Sequence, residues 1–206
     1  MLRNGKSSAD ANEAVASSAD GRRLRSEVSR ERIVGAMLAL IGAGAVTPGA
    51  EAVAAKAGVG LRTVFRHFEN METLYQRIDT HITGEVRPLA EAPFKAREWK
   101  GKVLEMLARR ARIFERIMPF KIAADVHRHQ SPFLSAQTGW FVREQRVALL
   151  AILPPERHAD AELVESLDLL LSFDCWRRLR KDQKLSAARA QQTLDQLIRA
   201  ALKAKR

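Results

Sequence analysis

From Ser29 onward the apolar positions recur at helical spacing, and no stretch alternates as a strand would. In "RERIVGAMLALIGAG", Ile33, Met37, Leu40 and Ile41 fall on one side of a helix. Ser29 is placed to cap its start, and Gly42 and Gly44 mark its end. "TPGAEAVAAKAGV" then predicts a turn at Thr47-Pro48-Gly49 and a short helix from Ala50 to Ala57. Gly58 can take the positive φ that ends such a helix. In "LRTVFRHF", steps of about 100° per residue bring Leu61, Val64, Phe65 and Phe68 into one narrow arc. Arg62, Thr63, Arg66 and His67 share the opposite arc. The pattern predicts a buried stripe with a cationic, hydrogen-bonding outer face. A fourth helix is predicted from Asn70, as its cap, to Arg87, with Pro88 as the stop.

A helix of barely two turns does not hold in water alone. The small residues Ala54 and Ala57, the turn at Gly58 and the plug Val64 let the preceding helix pack beneath it at a steep angle. This predicts a helix-turn-helix over about residues 50–69, its second helix presented to a major groove. An ordinary surface pair with solvated charges is the alternative. Against it stands the order of the parts: small-residue helix, glycine turn, cationic helix. Arg62 and Arg66 are candidates for guanine edges, which take two parallel hydrogen bonds from a guanidinium, or for phosphates. Thr63 and His67 are candidates for phosphates. Lys56 either meets a flanking phosphate or is simply solvated.

From about Leu89 the chain reads as helices near 97–118, 119–130, 133–153, 160–180 and 186–204, punctuated by Pro119, Pro132 and Pro154-Pro155. Such a set can enclose a pocket. Trp99, Met106, Phe114, Met118, Phe120, Trp140 and Phe141 are candidates for its lining, with plain core as the alternative. The last two helices carry stripes suited to a partner chain. Leu163, Leu167, Leu170, Leu171 and Asp174 form the first; Ala190, Leu194, Leu197, Ile198 and Ala201 form the second. Two such helices from each of two chains would make a four-helix interface, and packing within one chain is the alternative.

Charge sharpens this picture. The 206 residues carry a formal net charge of +11, which favours polyanions: nucleic acid first, an anionic membrane surface second. The single cysteine excludes an internal disulfide and fits a reducing compartment. The longest apolar runs, "MLALIGAGAV" and "VALLAIL", are too short for a membrane span, and the N-terminus lacks a secretory layout. A soluble cytoplasmic protein is expected. The first twenty or so residues have almost no bulky apolar content and are expected to be disordered. "GRRLR" at 21–25 is either a basic arm for a phosphate backbone or minor groove, or a solvated linker. The expected organisation is a tail at 1–28, a DNA-binding domain at 29–87 and a helical regulatory domain at 88–206. His127 and His129 point to opposing sides of a helix, His158 and Cys175 complete no ligand set, and no glycine-rich phosphate loop is present. No enzyme, cofactor or metal is expected. A scaffold that binds nucleic acid without sequence preference is the alternative function.

Residues 29–87 resemble the DNA-binding head of the TetR family of bacterial transcription regulators. Gly44 at the end of the first helix, "VAAKAGV" at 53–59, "TVFRHF" at 63–68 and Leu74 carry the resemblance, without gaps. "FDCWRRLRKDQKLS" and the amphipathic helix after it resemble the dimerisation end of many members. The resemblance implies an all-α protein with a three-helix head and a helical ligand-binding and dimerisation domain. It implies a homodimer on a palindromic double-stranded operator, most often as a repressor, released by a small-molecule effector. It places Lys56, Gly60, Arg62, Thr63, Phe65, Arg66 and His67 at the DNA. Three positions depart from the family pattern. Phe65 stands where a tyrosine is frequent and lacks its hydroxyl, though it can meet a thymine methyl. Met71 replaces a lysine, and Gly60 replaces a serine or threonine cap.

Overall fold

The computed structural model describes residues 7–67 and 71–203, with side chains for 23–67 and 72–203. Among these residues there is no strand, and the protein is all-α as expected. The helices are α1 (Ser7–Gly42), α2 (Ala50–Ala57), α3 (Leu61–His67), α4 (Met71–Glu91), α5 (Trp99–His127), α6 (Pro132–Leu150), α7 (Ala161–Leu170), α8 (Phe173–Arg177) and α9 (Ala187–Lys203). A 3-10 turn at Pro155–Arg157 precedes α7, and a π-helical turn at Arg178–Asp182 follows α8. The chain divides into two compact units, one ending at Leu74 and one beginning at Tyr75.

In the first unit α1 packs on α2, and α2 on α3. Ile33, Val34, Ala36, Met37 and Ile41 of α1 are buried with Val53 and Ala54 of α2 and Val64 of α3. Glycine closes both longer helices. Gly44 takes φ 102°, and the Ala45 N–H donates to the Leu40 carbonyl at 3.0 Å. Gly58 takes φ 64°, and the Val59 N–H donates to the Ala54 carbonyl at 3.1 Å. This six-to-one bond satisfies a carbonyl that the helix leaves open and turns the chain into α3. The expected start of the first helix at Ser29 is corrected: α1 begins at Ser7. The stretch before Ser29 holds no proline to stop a helix, and the packed part of α1 supplies the nucleus it extends. Phe68 and the expected cap Asn70 lie outside the described residues.

In the second unit α5 is the spine, packed against α6, α8 and α9. The stops expected at two prolines are absent. α4 runs past Pro88, which sits in its last turn and forfeits one bond, to the Gly84 carbonyl. α5 runs through Pro119 as one helix, held from outside by its packing. Just before Pro119, Glu115 accepts from the Trp176 indole at 2.8 Å and from Arg180 Nε at 2.7 Å. Conversely, the single helix expected over 160–180 is broken. Ser172 caps a new start by accepting from the Cys175 N–H at 3.1 Å. Buried Arg110 donates to the Leu171 carbonyl at the break, at 3.0 Å, and to the Gln145 carbonyl of α6. Burial lowers its pKa to about 10, against the pull of Asp168, so it remains charged at neutral pH.

Much of the two stripes is used in packing within one chain, the alternative the sequence left open. Leu163, Leu167, Leu171, Ala190, Leu194 and Ile198 are buried within the single chain, where α7 and α9 pack on each other and α9 packs on α5. A side chain filling this core has no surface left for a second copy. Leu197 and Asp174 are exposed, and Leu170 and Ala201 are half-exposed. Two substitutions test this packing by denaturant unfolding. Gly58→Ala should destabilise by about 1–2 kcal/mol, because a Cβ is disfavoured at positive φ. Ile198→Ala should cost about 2–5 kcal/mol, as a core truncation does, whatever the protein concentration.

Candidate functional site

The seven residues of α3 are held by one buried side chain, Val64, at 7% exposure. Gly60 opens the helix, its carbonyl accepting from the Thr63 N–H at 2.8 Å. The helix is turned relative to the expected stripe. Phe65 is 58% exposed and Leu61 38%, so neither is core. Both share the outward side with Arg62 and Arg66, which are exposed. The physical reason is the narrow seat: a helix this short buries the side centred on Val64, and Leu61 and Phe65 lie one step around from it. Lys56 on α2 and Gly60 are exposed as well. Among the described residues Lys56, Arg62 and Arg66 have no carboxylate partner.

Thr63 and His67 flank Val64 and are half-buried. The His67 Nε2 atom is shielded from solvent and, among the described residues, has no hydrogen-bond partner. Burial lowers its pKa, and the charges of Arg66 and Arg30 add to that, while Glu27 opposes. Arg30 is itself paired with Glu27 at 2.9 Å, so it is not a free cation for a phosphate. Arg23 and Arg25 are exposed on α1, while the Arg22 side chain lies outside the described residues.

Among the described residues of the second unit, two cavities bear on a ligand site. The larger, about 340 Å³, lies among α5, α6, α7 and the start of α8. Phe141, Val142, Leu169 and Phe173 form its apolar part; Lys121, Gln145 and Asp168 are among its polar groups. Of the seven bulky residues predicted from sequence to line a pocket, Phe141 lines this cavity. Trp99 lines the other, of about 90 Å³, with Arg157 and Leu163. Met106, Phe114 and Met118 are buried core, Phe120 is half-buried, and Trp140 is 43% exposed. Phe114 supports the larger cavity from behind, edge-on to Phe173 at 5.5 Å and to Phe141 at 6.5 Å. Lys121 went unselected in the sequence, though a single lysine inside "PFKIAA" was the available signal.

A solved crystal structure of a transcriptional regulator from Rhodococcus sp. Rha1 is similar to this chain. The TM-score is 0.60 at 20% identity, over 84% of this chain and 96% of that one. At this identity the likeness shows a shared fold. No protein-family model matches the chain, and no curated protein matches it. Among the described residues no helix is long and apolar enough to cross a membrane.

His67 gives this site a measurable acid response. A histidine of the unfolded chain titrates near 6.5, and folded His67 below it. Between those values the unfolded chain binds more protons, so its contribution to stability is full above 6.5 and falls as pH drops. A proton NMR titration should find His67 protonating below an ordinary histidine, and His67→Gln should flatten this part of the stability profile.

Proposed function

We propose that the chain is a ligand-responsive transcriptional regulator of the TetR type, a repressor that binds a palindromic operator as a homodimer. The observation that carries this reading is the outward side of α3. There Arg62, Arg66 and Phe65 stand exposed on a helix anchored by Val64, and among the described residues neither arginine is committed to a carboxylate. Arg62 and Arg66 read guanine edges or phosphates, and Phe65 meets a thymine methyl. Lys56, Gly60, Thr63 and His67 contact or approach the backbone. The fold shared with a solved transcriptional regulator supports the same reading. The net charge of +11 supplies long-range attraction to duplex DNA.

Residues 29–87 act as the DNA-binding domain and 88–206 as the regulatory domain. Two copies present their α3 helices to successive major grooves about 34–36 Å apart. Exposed Leu197, at 48%, with half-exposed Leu170 and Ala201, supports pairing of two chains through surfaces that the core does not use. An effector in the larger cavity shifts the pose of α4, which is continuous across the boundary between the units. A coupling of about 1–3 kcal/mol is enough for such a switch.

A gel shift with the intergenic DNA beside the chain's own gene tests the reading. Arg62→Ala and Arg66→Ala should each weaken specific binding by about 1–3 kcal/mol. Helical content and melting should hardly change, since both side chains face water. Random DNA should compete poorly. Equal competition by random DNA, with a steep salt dependence, would instead favour a non-specific nucleic-acid scaffold.

A further inference from the structure

The larger cavity has a charge arrangement that selects its guest. Four carboxylates line it, and each has an arginine nearby. Glu165 and Asp168 share Arg146, at 2.6 and 3.0 Å. Asp174 lies 3.6 Å from Arg177, and Asp125 lies 4.0 Å from Arg128. Lys121 differs. Among the described residues it has no ion-pair partner, and its ammonium sits 4.7 Å from the centre of the Phe141 ring. Burial lowers its pKa, and the more distant carboxylates of Asp125, Asp174 and Asp79 only partly offset this.

A cationic guest would have to draw carboxylates away from the arginines that hold them. A monoanion meets a half-buried ammonium that has lost water and gained no counter-ion. Among the described residues one ammonium lacks an ion-pair partner here, which matches a guest with a single negative charge. Phe141 and Phe173, with ring centres 6.3 Å apart, offer aromatic surface to an apolar body beside the charge. Resting on the effector-responsive reading above, we infer that this cavity takes a small organic monocarboxylate with an apolar or aromatic body. Its carboxylate pairs with Lys121, and its body lies against Phe141, Val142 and Phe173.

Calorimetric titration of the full chain, without DNA, tests this with three probes of one shape: phenylbutyrate, its primary amide and phenylbutylamine. The carboxylate should bind at least about tenfold more tightly than the amide, a difference of about 1.4 kcal/mol, with the amine weakest. Lys121→Met should abolish the preference, Lys121→Arg should keep it, and Phe141→Leu should weaken the carboxylate and the amide alike. Circular dichroism checks that each variant is folded, and Lys121→Gln replaces Lys121→Met should the latter fail. The inference is overturned if none of the probes binds at millimolar concentration. It is equally overturned if the amide or amine binds as well as the carboxylate, or if the preference survives in folded Lys121→Met or Lys121→Gln. DNA binding is measured in parallel on the unliganded chain. Its absence beside an intact carboxylate preference would remove the regulator reading and leave the cavity assignment standing; the reverse would remove only the assignment.

Discussion

A seven-residue helix cannot sustain itself, and the first unit is organised around that constraint. α3 exists because Val64 is seated on a core built by α1 and α2, and because the glycine turns at Gly44 and Gly58 aim the helices at that seat. One anchoring residue is a small investment of apolar surface. It leaves the opposite side of the helix without any packing duty, and that side carries the arginines and Phe65. The proposed contact with duplex DNA is therefore set by where a single valine is buried, rather than by a strong helical preference in the segment itself.

The second unit has a different organising element. Arg110 is a charged group inside the helical core, and its bonds run to backbone carbonyls on two neighbouring elements. Carbonyl acceptors and the nearby Asp168 compensate its desolvation, as buried charges require. It ties α5 to α6 and to the break after α7, the same elements that bound the larger cavity. Cavity shape and core integrity are thus linked through one guanidinium. Under the proposed function, a guest that moves α6 or the break would strain these bonds and so reach the unit's packing.

Much of the first unit was legible in the sequence because its cues are local. Gly44 and Gly58 mark helix ends by conformational need, and Val53, Ala54 and Val64 mark the core by spacing. What spacing missed was the rotation of α3: a wheel shows which residues share a side, while the seat beneath decides which side turns inward. Pro88 and Pro119 misled for a related reason, since one missing hydrogen bond is tolerated in a last turn or under firm packing. The stripes on α7 and α9 were real, but periodicity alone does not distinguish a neighbour in the same chain from a neighbour in another. Lys121 escaped notice because its significance lies in what fails to pair with it, a property of three dimensions.

The single anchor of α3 has a consequence for divergence. Positions 61, 62, 65 and 66 can be exchanged with little disturbance to the core beneath, so this surface is free to drift toward a new partner sequence. Length is another matter. One residue inserted between Arg62 and Val64 would swing Leu61 and Arg62 by about 100° relative to the seat, while Phe65 and Arg66 would keep their register with it. The face can therefore be rewritten by substitution, whereas an insertion or deletion in that short interval would split it into two parts out of register.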